Sequence, residues 1–209
     1  MKLCVMMWYD NNIRSYGLLN YIINALYCRK YNIDIIKCNK RRVPNIEPNW
    51  ERIPLLLEHI NKYDYVMWID ADAHFYVNGP SIIKLIEIYK DKNFIFSRDV
   101  NTSSTFINSG VFIVKNNEYC KVFLQDWINR NNIPDNYNFL DQGKLQTMYD
   151  INHKKIKSNS IVIPFGILQN FGLRYKQKSL SYIIHLAGTS TRVRFIHSLA
   201  YLSIIMKEL

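Results

Sequence analysis

Two aspartates, Asp70 and Asp72, directly follow an apolar run at residues 66–69 that has the character of a buried strand. Because side chains alternate between the two faces of a strand, residues two apart are expected to point the same way. Neighbouring carboxylates repel each other, and this raises the pKa of one of them unless a cation compensates. Carboxylate oxygens suit Mg²⁺ or Mn²⁺, which commonly bind substrate phosphates as well. The pair therefore predicts a metal–diphosphate site, with a surface turn carrying two solvated acids as the alternative.

Predicted strands and helices alternate along the chain, as judged from short apolar runs and from apolar residues at helical spacing. The predicted strands are residues 3–7, 33–37, 66–69, 94–97, 111–114, 161–163 and 182–184, and the predicted helices are 16–31, 51–61, 81–90, 118–128, 142–149 and 192–207. This order predicts an α/β fold with a mostly parallel central sheet and helices on both faces. Ligands bind such sheets outside the carboxyl ends of the strands, where the aspartate pair and the loop at residues 8–10 are expected.

The composition is that of an ordinary globular protein. Hydrophobic residues make up 48% and charged residues 21% of the 209 residues, which excludes a disordered chain. No apolar run reaches the length of about 18 residues that a membrane span needs. No linker or repeat interrupts the chain, which predicts a single domain over residues 1–209.

The formal net charge of +10 indicates an anionic partner or substrate. The basic residues are spread along the chain, with clusters only at residues 37–42 and 154–157. No zinc-finger, RNP-type or helix-turn-helix signature accompanies them, so no nucleic-acid partner is expected. The alternative is a basic nucleic-acid or membrane-surface binding protein without catalysis, in which the helix at 192–207 could act as an amphipathic anchor.

The four cysteines, Cys4, Cys28, Cys38 and Cys120, show neither CxxC pairing nor metal-ligand spacing. The apolar run at residues 1–7 is too short for a signal peptide. Scattered cysteines in a chain without a signal predict reduced thiols and a cytoplasmic location.

Several further segments occur in an order typical of one family. They are residues 50–56, 63–73, 108–116, 127, 141–142 and 185–188. Together they resemble glycosyltransferases of the GT-A fold, a nucleotide-diphospho-sugar transferase architecture. The likeness is nearest to the galactosyl/mannosyl/xylosyl transferases, including small homologues encoded by large algal DNA viruses. The resemblance spans nearly the full length and implies a metal-dependent enzyme that moves a hexose or deoxyhexose from a UDP-sugar to a glycan or glycoprotein acceptor.

The metal site that the resemblance implies has three protein ligands, Asp70, Asp72 and His185, and holds Mn²⁺ or Mg²⁺. In such enzymes the cation acts as a Lewis acid on the diphosphate leaving group. Without the resemblance, His185 is more simply interpreted as an interior histidine beside Gly188.

The resemblance also implies how the donor is held. Arg52 lies where such enzymes place a cation against the donor phosphates or ribose, and its planar guanidinium suits phosphate. The alternative is an exposed arginine on an amphipathic helix. Tyr9, flanked by Trp8, is expected to hold the nucleobase, which the resemblance suggests is uracil; the alternative is a surface aromatic residue.

Two polar segments complete the expected donor site. Asn108, Ser109 and Gly110 are expected to form a turn before a buried strand. Asn108 could then hydrogen-bond to sugar hydroxyls, and Gly110 would let the backbone approach the ligand closely. The alternative is a turn with no role in binding. In the plant-type enzymes of the family, a lysine that neutralises phosphate follows this glycine-containing element, and this chain has no lysine directly after Gly188. Arg192 is taken to replace that charge, with Arg194 as the alternative.

Three residues are candidates at the reacting centre. Asp99 lies in the usual place of a contact to the donor sugar or the acceptor. Asp141 is expected to orient the donor or bind the acceptor, although it would also make a good N-cap for the helix at 142–149. Gln142 is expected at the anomeric face, where an amide is a poor nucleophile. The resemblance thus implies retention by front-face substitution, without a covalent intermediate.

Overall fold

The computed structural model describes residues 1–99, 106–129, 131, 133–134, 136–172 and 181–208. Its strands are β1 (Leu3–Trp8), β2 (Asp34–Cys38), β3 (Tyr65–Ile69), β4 (Ala73–Phe75), β5 (Phe94–Arg98), β6 (Ile107–Lys115), β7 (Ser160–Ile163), β8 (Gln169–Asn170) and β9 (Ile183–His185). Its α-helices are α1 (Arg14–Lys30), α2 (Arg52–His59), α3 (Ile82–Ile88), α4 (Glu118–Ile128), α5 (Leu140–Asp150), α6 (Ile156–Asn159) and α7 (Thr191–Glu208).

Six strands form the central sheet in the order β2-β1-β3-β6-β5-β7. Five of them run in the same direction, and β6 runs opposite to both of its neighbours, β3 and β5. The α/β fold with a mostly parallel sheet is therefore confirmed, with β6 as the exception. The loops at the carboxyl ends of parallel strands lie at one edge of the sheet. Trp8 is the last residue of β1 and Asp70 directly follows β3, and both lie at this edge.

Both faces of this sheet are buried, as continuous apolar strands require. Every residue of β1 is buried, and its side chains alternate between two cores. One core contains apolar residues of α1, α3 and α7, and the other contains residues of α2, α4, α5 and α6. The expectation of helices on both faces is thereby confirmed.

Strand β6 begins at Ile107, four residues before the predicted strand start. Asn108, Ser109 and Gly110 are therefore buried strand residues, and the expected turn at these positions is wrong. The pairing of β5 with β6 shifts at this point, because Phe96 pairs with Phe112 while the next residue, Ser97, pairs with Asn108. Such an irregularity re-aims side chains locally, and here it lies beside the aspartate pair.

A second sheet, in the order β4-β9-β8, was not predicted as such. Its strands have only two or three residues, which is too short for apolar periodicity to show. In this sheet β4 pairs antiparallel with β9, which places Ala73 opposite His185. The small sheet therefore joins the segment after Asp72 to a histidine from the far end of the chain.

Two buried asparagines of α1 fasten this segment in place. Asn24 accepts a hydrogen bond from the Phe75 N–H at 2.8 Å and donates to the Ala73 carbonyl at 3.1 Å. Asn20 donates to the Ala71 carbonyl at 2.8 Å and accepts from the Ser198 hydroxyl of α7 at 2.8 Å. One helix thus holds the backbone on both sides of Asp72.

Helix α7 packs against α1 and contributes Ile205 to the core, as expected of a closing helix. Its outer face nevertheless carries large apolar side chains that are exposed: Val193, Phe195, Ile196, Leu199, Ile204 and Met206. Among the described residues no helix is both long and apolar enough to cross a membrane.

Replacing Asn24 with alanine is expected to destabilise the protein by about 1–3 kcal/mol, because two backbone groups of β4 lose their buried partner. Chemical denaturation of Asn24→Ala measures this loss. Arg29→Ala, at an exposed position of the same helix, serves as the control and should stay within about 0.5 kcal/mol of the parent. An Asn24 variant as stable as the control would show that its hydrogen bonds to the backbone of β4 do not stabilise the protein.

Candidate active site

Asp70 and Asp72 lie in a turn that begins directly after β3. The Asp70 N–H donates to the Gly110 carbonyl at 2.9 Å, and the Ala73 N–H donates to the Asp70 carbonyl at 3.0 Å. The turn, rather than the strand alternation expected from the sequence, brings the two carboxylates to one side. Their side chains are only 24% and 12% exposed, so the alternative of two solvated surface acids is wrong.

His185, at the end of β9, completes a three-residue cluster with the aspartates. Its Nε2 atom lies 3.2 Å from Asp72 Oδ1 and 3.9 Å from Asp70 Oδ2. One ligand atom from each of the three residues lies within 4.8 Å of the others. Two carboxylates and an imidazole so placed could hold a divalent cation, and this donor set fits Mn²⁺ or Mg²⁺.

Burial and mutual charge shift the pKa of each member of the cluster. Burial raises the pKa of Asp70 above its usual range, against the effects of Arg52 and His185. Burial acts in the same direction on Asp72, but His185 and Arg194 hold the pKa of that carboxyl below its usual range. Burial alone would lower the pKa of His185, and the neighbouring carboxylates of Asp72 and Asp70 raise it. At a pH below the raised pKa of His185, a cation that binds here would have to displace a proton from the ring.

Arg194 of α7, and not Arg192, lies beside the cluster. Its guanidinium is 2.9 Å from Asp72 Oδ2, donates to the Tyr16 hydroxyl at 3.3 Å and lies over the Tyr16 ring. Arg192 is exposed, two residues earlier on the same helix. Of the two arginines considered for the missing lysine, the structure thus brings Arg194 to the site.

Arg52, at the start of α2, is buried at 4% exposure, so the alternative of an exposed arginine is wrong. Its guanidinium forms ion pairs with Asp70 Oδ1 and with Asp141 Oδ2, each at 3.2 Å. It also donates to the carbonyl and hydroxyl of Ser109 at 2.5 and 2.6 Å. One side chain therefore links the aspartate turn to β6 and α5.

Asp141 is not the N-cap of α5, contrary to the alternative considered from the sequence. The helix starts at Leu140, and Asp141 lies within its first turn. Its carboxyl group is almost fully buried, and burial raises its pKa to about 6, against the opposing charge of Arg52. Asp141 therefore faces the site interior.

Gln142, Asp99, Asn108 and Ser109 form one hydrogen-bonded network. Gln142 Oε1 accepts from the Ser109 N–H at 3.0 Å, and its Nε2 donates to Asp99 at 3.2 Å. Asp99 also accepts from the Asn108 amide at 3.1 Å, and Asn108 Oδ1 accepts from the Gly110 N–H at 2.9 Å. The four predicted residues are therefore brought together.

Gly110 lies where no side chain fits. A Cβ atom at this position would be 2.3 Å from His185 Cε1 and 2.8 Å from Asp70 Oδ2. The expectation of a close approach at Gly110 thus has a physical basis, although the approaching groups are the metal-ligand candidates themselves.

Two cavities adjoin the cluster and share Asn49, Arg52 and Asp70. The smaller one, about 140 Å³, is walled mainly by apolar and aromatic residues: Trp8, Ile13, Tyr16, Pro48, Trp68 and Ala71. The larger one, about 350 Å³, is lined mainly by polar side chains, which include Asn108, Asp141, Gln142, His185 and Arg194, and also by the backbone at Gly188.

Tyr9 lies behind the smaller cavity and does not line it. It is 4% exposed and packs against Gly17, with the Lys37 ammonium 4.7 Å from its ring centroid. The alternative of a surface aromatic residue is therefore wrong. Trp8, its neighbour, does line the cavity.

Four residues of the site were not predicted. Trp68 donates from Nε1 to Asp70 Oδ1 at 2.7 Å, and Tyr16 and Asn49 line the cavities. Gln169 of β8 places Oε1 2.8 Å from His185 Nδ1. No spacing or motif marks Tyr16, Asn49 or Gln169 in the sequence, and Trp68 was identified only as part of the segment at residues 63–73, without a role of its own.

Comparison with known families supports a glycosyltransferase. The model of the galactosyl transferase GMA12/MNN10 family matches residues 80–195, which is more than half of the chain. The matched segment includes Asp99, Asp141, Gln142 and His185. No curated protein sequence matches the chain.

Solved structures share the fold at low sequence identity. A glycosyltransferase involved in glycosylation of the major capsid of PBCV-1 superimposes with a TM-score of 0.78 at 16% identity, over 96% of this chain and 100% of that one. The galactosyltransferase LgtC gives 0.59 at 12% identity, over 96% and 95%. The glycosyltransferase GlyE of Streptococcus pneumoniae TIGR4 gives 0.56 at 14% identity, over 100% of this chain and 63% of that one. These similarities show the GT-A fold.

Removing one ligand of the cluster is expected to weaken Mn²⁺ binding by more than tenfold, since even the loss of a ligand's hydrogen-bond partner typically costs about 10–100-fold. Asp72→Asn and His185→Ala, followed by calorimetric titration with Mn²⁺, test this. Asp91→Asn removes an exposed carboxylate elsewhere and should leave the affinity unchanged. Parental Mn²⁺ affinity in both ligand variants would rule out this cluster as the metal site.

Mn²⁺ affinity is expected to rise with pH, because the raised pKa of His185 favours the protonated ring in the metal-free protein. Below that pKa, displacement of one proton makes the affinity fall about tenfold per pH unit. Titrations across a pH series, repeated in two buffers of different ionisation enthalpy, measure both the slope and the proton released. Equal affinity at all pH values would contradict the proton displacement.

Proposed function

The chain belongs to the galactosyl transferase GMA12/MNN10 family, and from this premise we propose that it transfers a hexose or deoxyhexose from a UDP-sugar to a glycan or glycoprotein acceptor, with retention. The observation that carries the proposal is the convergence of Asp70, Asp72 and His185 where the two cavities meet. Mn²⁺ or Mg²⁺ bound there would supply Lewis-acid stabilisation to the departing diphosphate.

The smaller cavity suits the nucleoside part of the donor. Its aromatic and apolar wall, with Trp8 and Tyr16, offers stacking surface, and aromatic residues are common contacts of nucleobases. Since Tyr9 is buried behind this wall, we assign the stacking to Trp8 and Tyr16 and give Tyr9 a supporting role. The diphosphate would then lie toward the aspartate turn, within reach of Arg194.

The larger cavity suits the transferred sugar and the acceptor, because polar groups line it. Asn108 presents an amide there and Gly188 a backbone segment with φ of 67°. Arg52 lines this cavity too, but its guanidinium is ion-paired with Asp70 and Asp141. We therefore propose that Arg52 positions these carboxylates, in place of the direct phosphate contact expected from the sequence.

Retention is supported by the groups that line the larger cavity beside the cluster. Gln142 places an amide there, held on both sides by Ser109 and Asp99. An amide is a poor nucleophile, and the Asp141 carboxyl is ion-paired with Arg52. A covalent glycosyl-enzyme is therefore disfavoured. We propose front-face substitution, in which the leaving diphosphate assists the attacking acceptor hydroxyl while Gln142 orients the sugar.

We propose that residues 1–209 act as one catalytic domain, since elements from both ends, β1 and β9, supply the site. We also propose that it acts in the cytoplasm. The four cysteines are free, and three of them are buried, which agrees with a reducing compartment.

UDP is expected to bind this protein tightly only when Mn²⁺ is present. Calorimetric titration of UDP with and without Mn²⁺ tests the metal–diphosphate site, and GDP serves as the control for the base. Hydrolysis of a panel of UDP-sugars then identifies the donor.

The outcomes separate the parts of the proposal. Mn²⁺-dependent binding of GDP but not UDP would overturn the assignment of uracil and keep the diphosphate site. UDP binding of equal strength without a divalent cation would overturn the metal-dependent mechanism.

A further inference from the structure

Gln169 contacts the imidazole of His185, one of the three proposed metal ligands. It lies on β8, is fully buried, and its Oε1 atom is 2.8 Å from Nδ1 of His185. The other ring nitrogen of His185, Nε2, faces the carboxylates of Asp72 and Asp70. The amide and the two carboxylates therefore hold opposite edges of one imidazole.

Phe171, two residues after Gln169, contacts the same ring. Its ring is edge-on to the imidazole of His185, with 5.5 Å between ring centroids. It is itself buried at 5% exposure. Gly110 approaches Cε1 closely, so the imidazole has neighbours at its Nδ1 atom and at its Cε1 atom, and an aromatic ring perpendicular to it. Its orientation is thus fixed by residues from β6, β8 and the segment after β8.

The two ring nitrogens of a neutral histidine have different roles. An imidazole that offers Nε2 to a cation carries its proton on Nδ1, and a buried N–H without an acceptor costs about 1–3 kcal/mol. Gln169 Oε1 is the acceptor within reach. The opposite amide orientation would aim an N–H donor at Nδ1 and leave the proton on Nε2, between the carboxylates.

We propose that Gln169 is a positioning residue for the metal centre: it accepts the Nδ1 proton of His185 in a hydrogen bond and so keeps the Nε2 lone pair directed toward a cation held with Asp70 and Asp72. This inference rests on the metal site of the proposed function. The two-residue strand β8 then supplies the hydrogen-bond acceptor that orients a metal ligand.

The test compares two near-isosteric substitutions. Gln169→Met removes the acceptor and is expected to weaken Mn²⁺ binding by about 10–100-fold, the usual effect of losing such a partner. Gln169→Glu keeps an acceptor oxygen and is expected to retain affinity close to that of the parent. Mn²⁺ alone is titrated calorimetrically, so that the readout is independent of catalysis.

Asn170→Leu is the matched control, since it replaces the adjacent buried amide of the same strand with an apolar side chain. It should leave Mn²⁺ affinity unchanged. Thermal unfolding of the metal-free variants verifies that each is folded. If Gln169→Met does not fold, the test rests on the Mn²⁺ affinities of Gln169→Glu and Asn170→Leu. Gln169→Glu must then bind Mn²⁺ with an affinity close to that of the parent.

Two results would overturn the role of Gln169. One is parental Mn²⁺ affinity in Gln169→Met, and the other is an equal loss in Gln169→Met and Gln169→Glu, which would indicate packing rather than hydrogen bonding. A parent protein that binds no Mn²⁺ would instead overturn the metal site itself, and with it the proposed function.

Discussion

The buried guanidinium of Arg52 holds the acidic centre of this protein together. It contacts Asp70 after β3, Asp141 in α5 and Ser109 in β6, while its own helix contributes apolar side chains to the core that these elements share. Burying several charges is costly unless each is paired, and removing one partner from a buried pair typically costs about 3–5 kcal/mol. β3 and β6 are already paired in the central sheet, and this one side chain ties α5 and the turn after β3 to them and fixes the direction in which Asp70 points.

The second constraint is that the histidine of the centre comes from a part of the chain distant in sequence. Asp72 and His185 are joined through a sheet of three very short strands, which cannot be stable in isolation. It is stabilised from outside by the asparagines of α1 and by α7, which packs on α1 and supplies Arg194 to Asp72. The closing helix therefore completes the charge balance of the site as well as the core.

Much of this arrangement was predictable, and the reasons for the misses are physical. Strand β1 and helix α4 have strong apolar patterns, and the resemblance to the family placed Asp70, Asp72 and His185 in one site. Asn108, Ser109 and Gly110 are residues typical of turns, and only their pairing with β3 and β5 makes them strand residues. The burial of Arg52 could not be predicted, because its charge partners are distant in sequence. Gln169 carries no local signal at all, since its role arises from a pairing of two-residue and three-residue strands.

The compensated charges of the centre have a consequence for the order of events. Without a cation, the carboxylates of Asp70, Asp72 and Asp141 lie against the guanidinium groups of Arg52 and Arg194 and the ring of His185, so the pocket has little net attraction for a diphosphate even though the chain as a whole carries +10. A divalent cation held by Asp70, Asp72 and His185 would add two positive charges and make the local balance positive. We therefore expect an ordered mechanism, in which the cation binds before the nucleotide. The overall positive charge of the protein then increases the association rate of the nucleotide, while the bound cation determines its affinity.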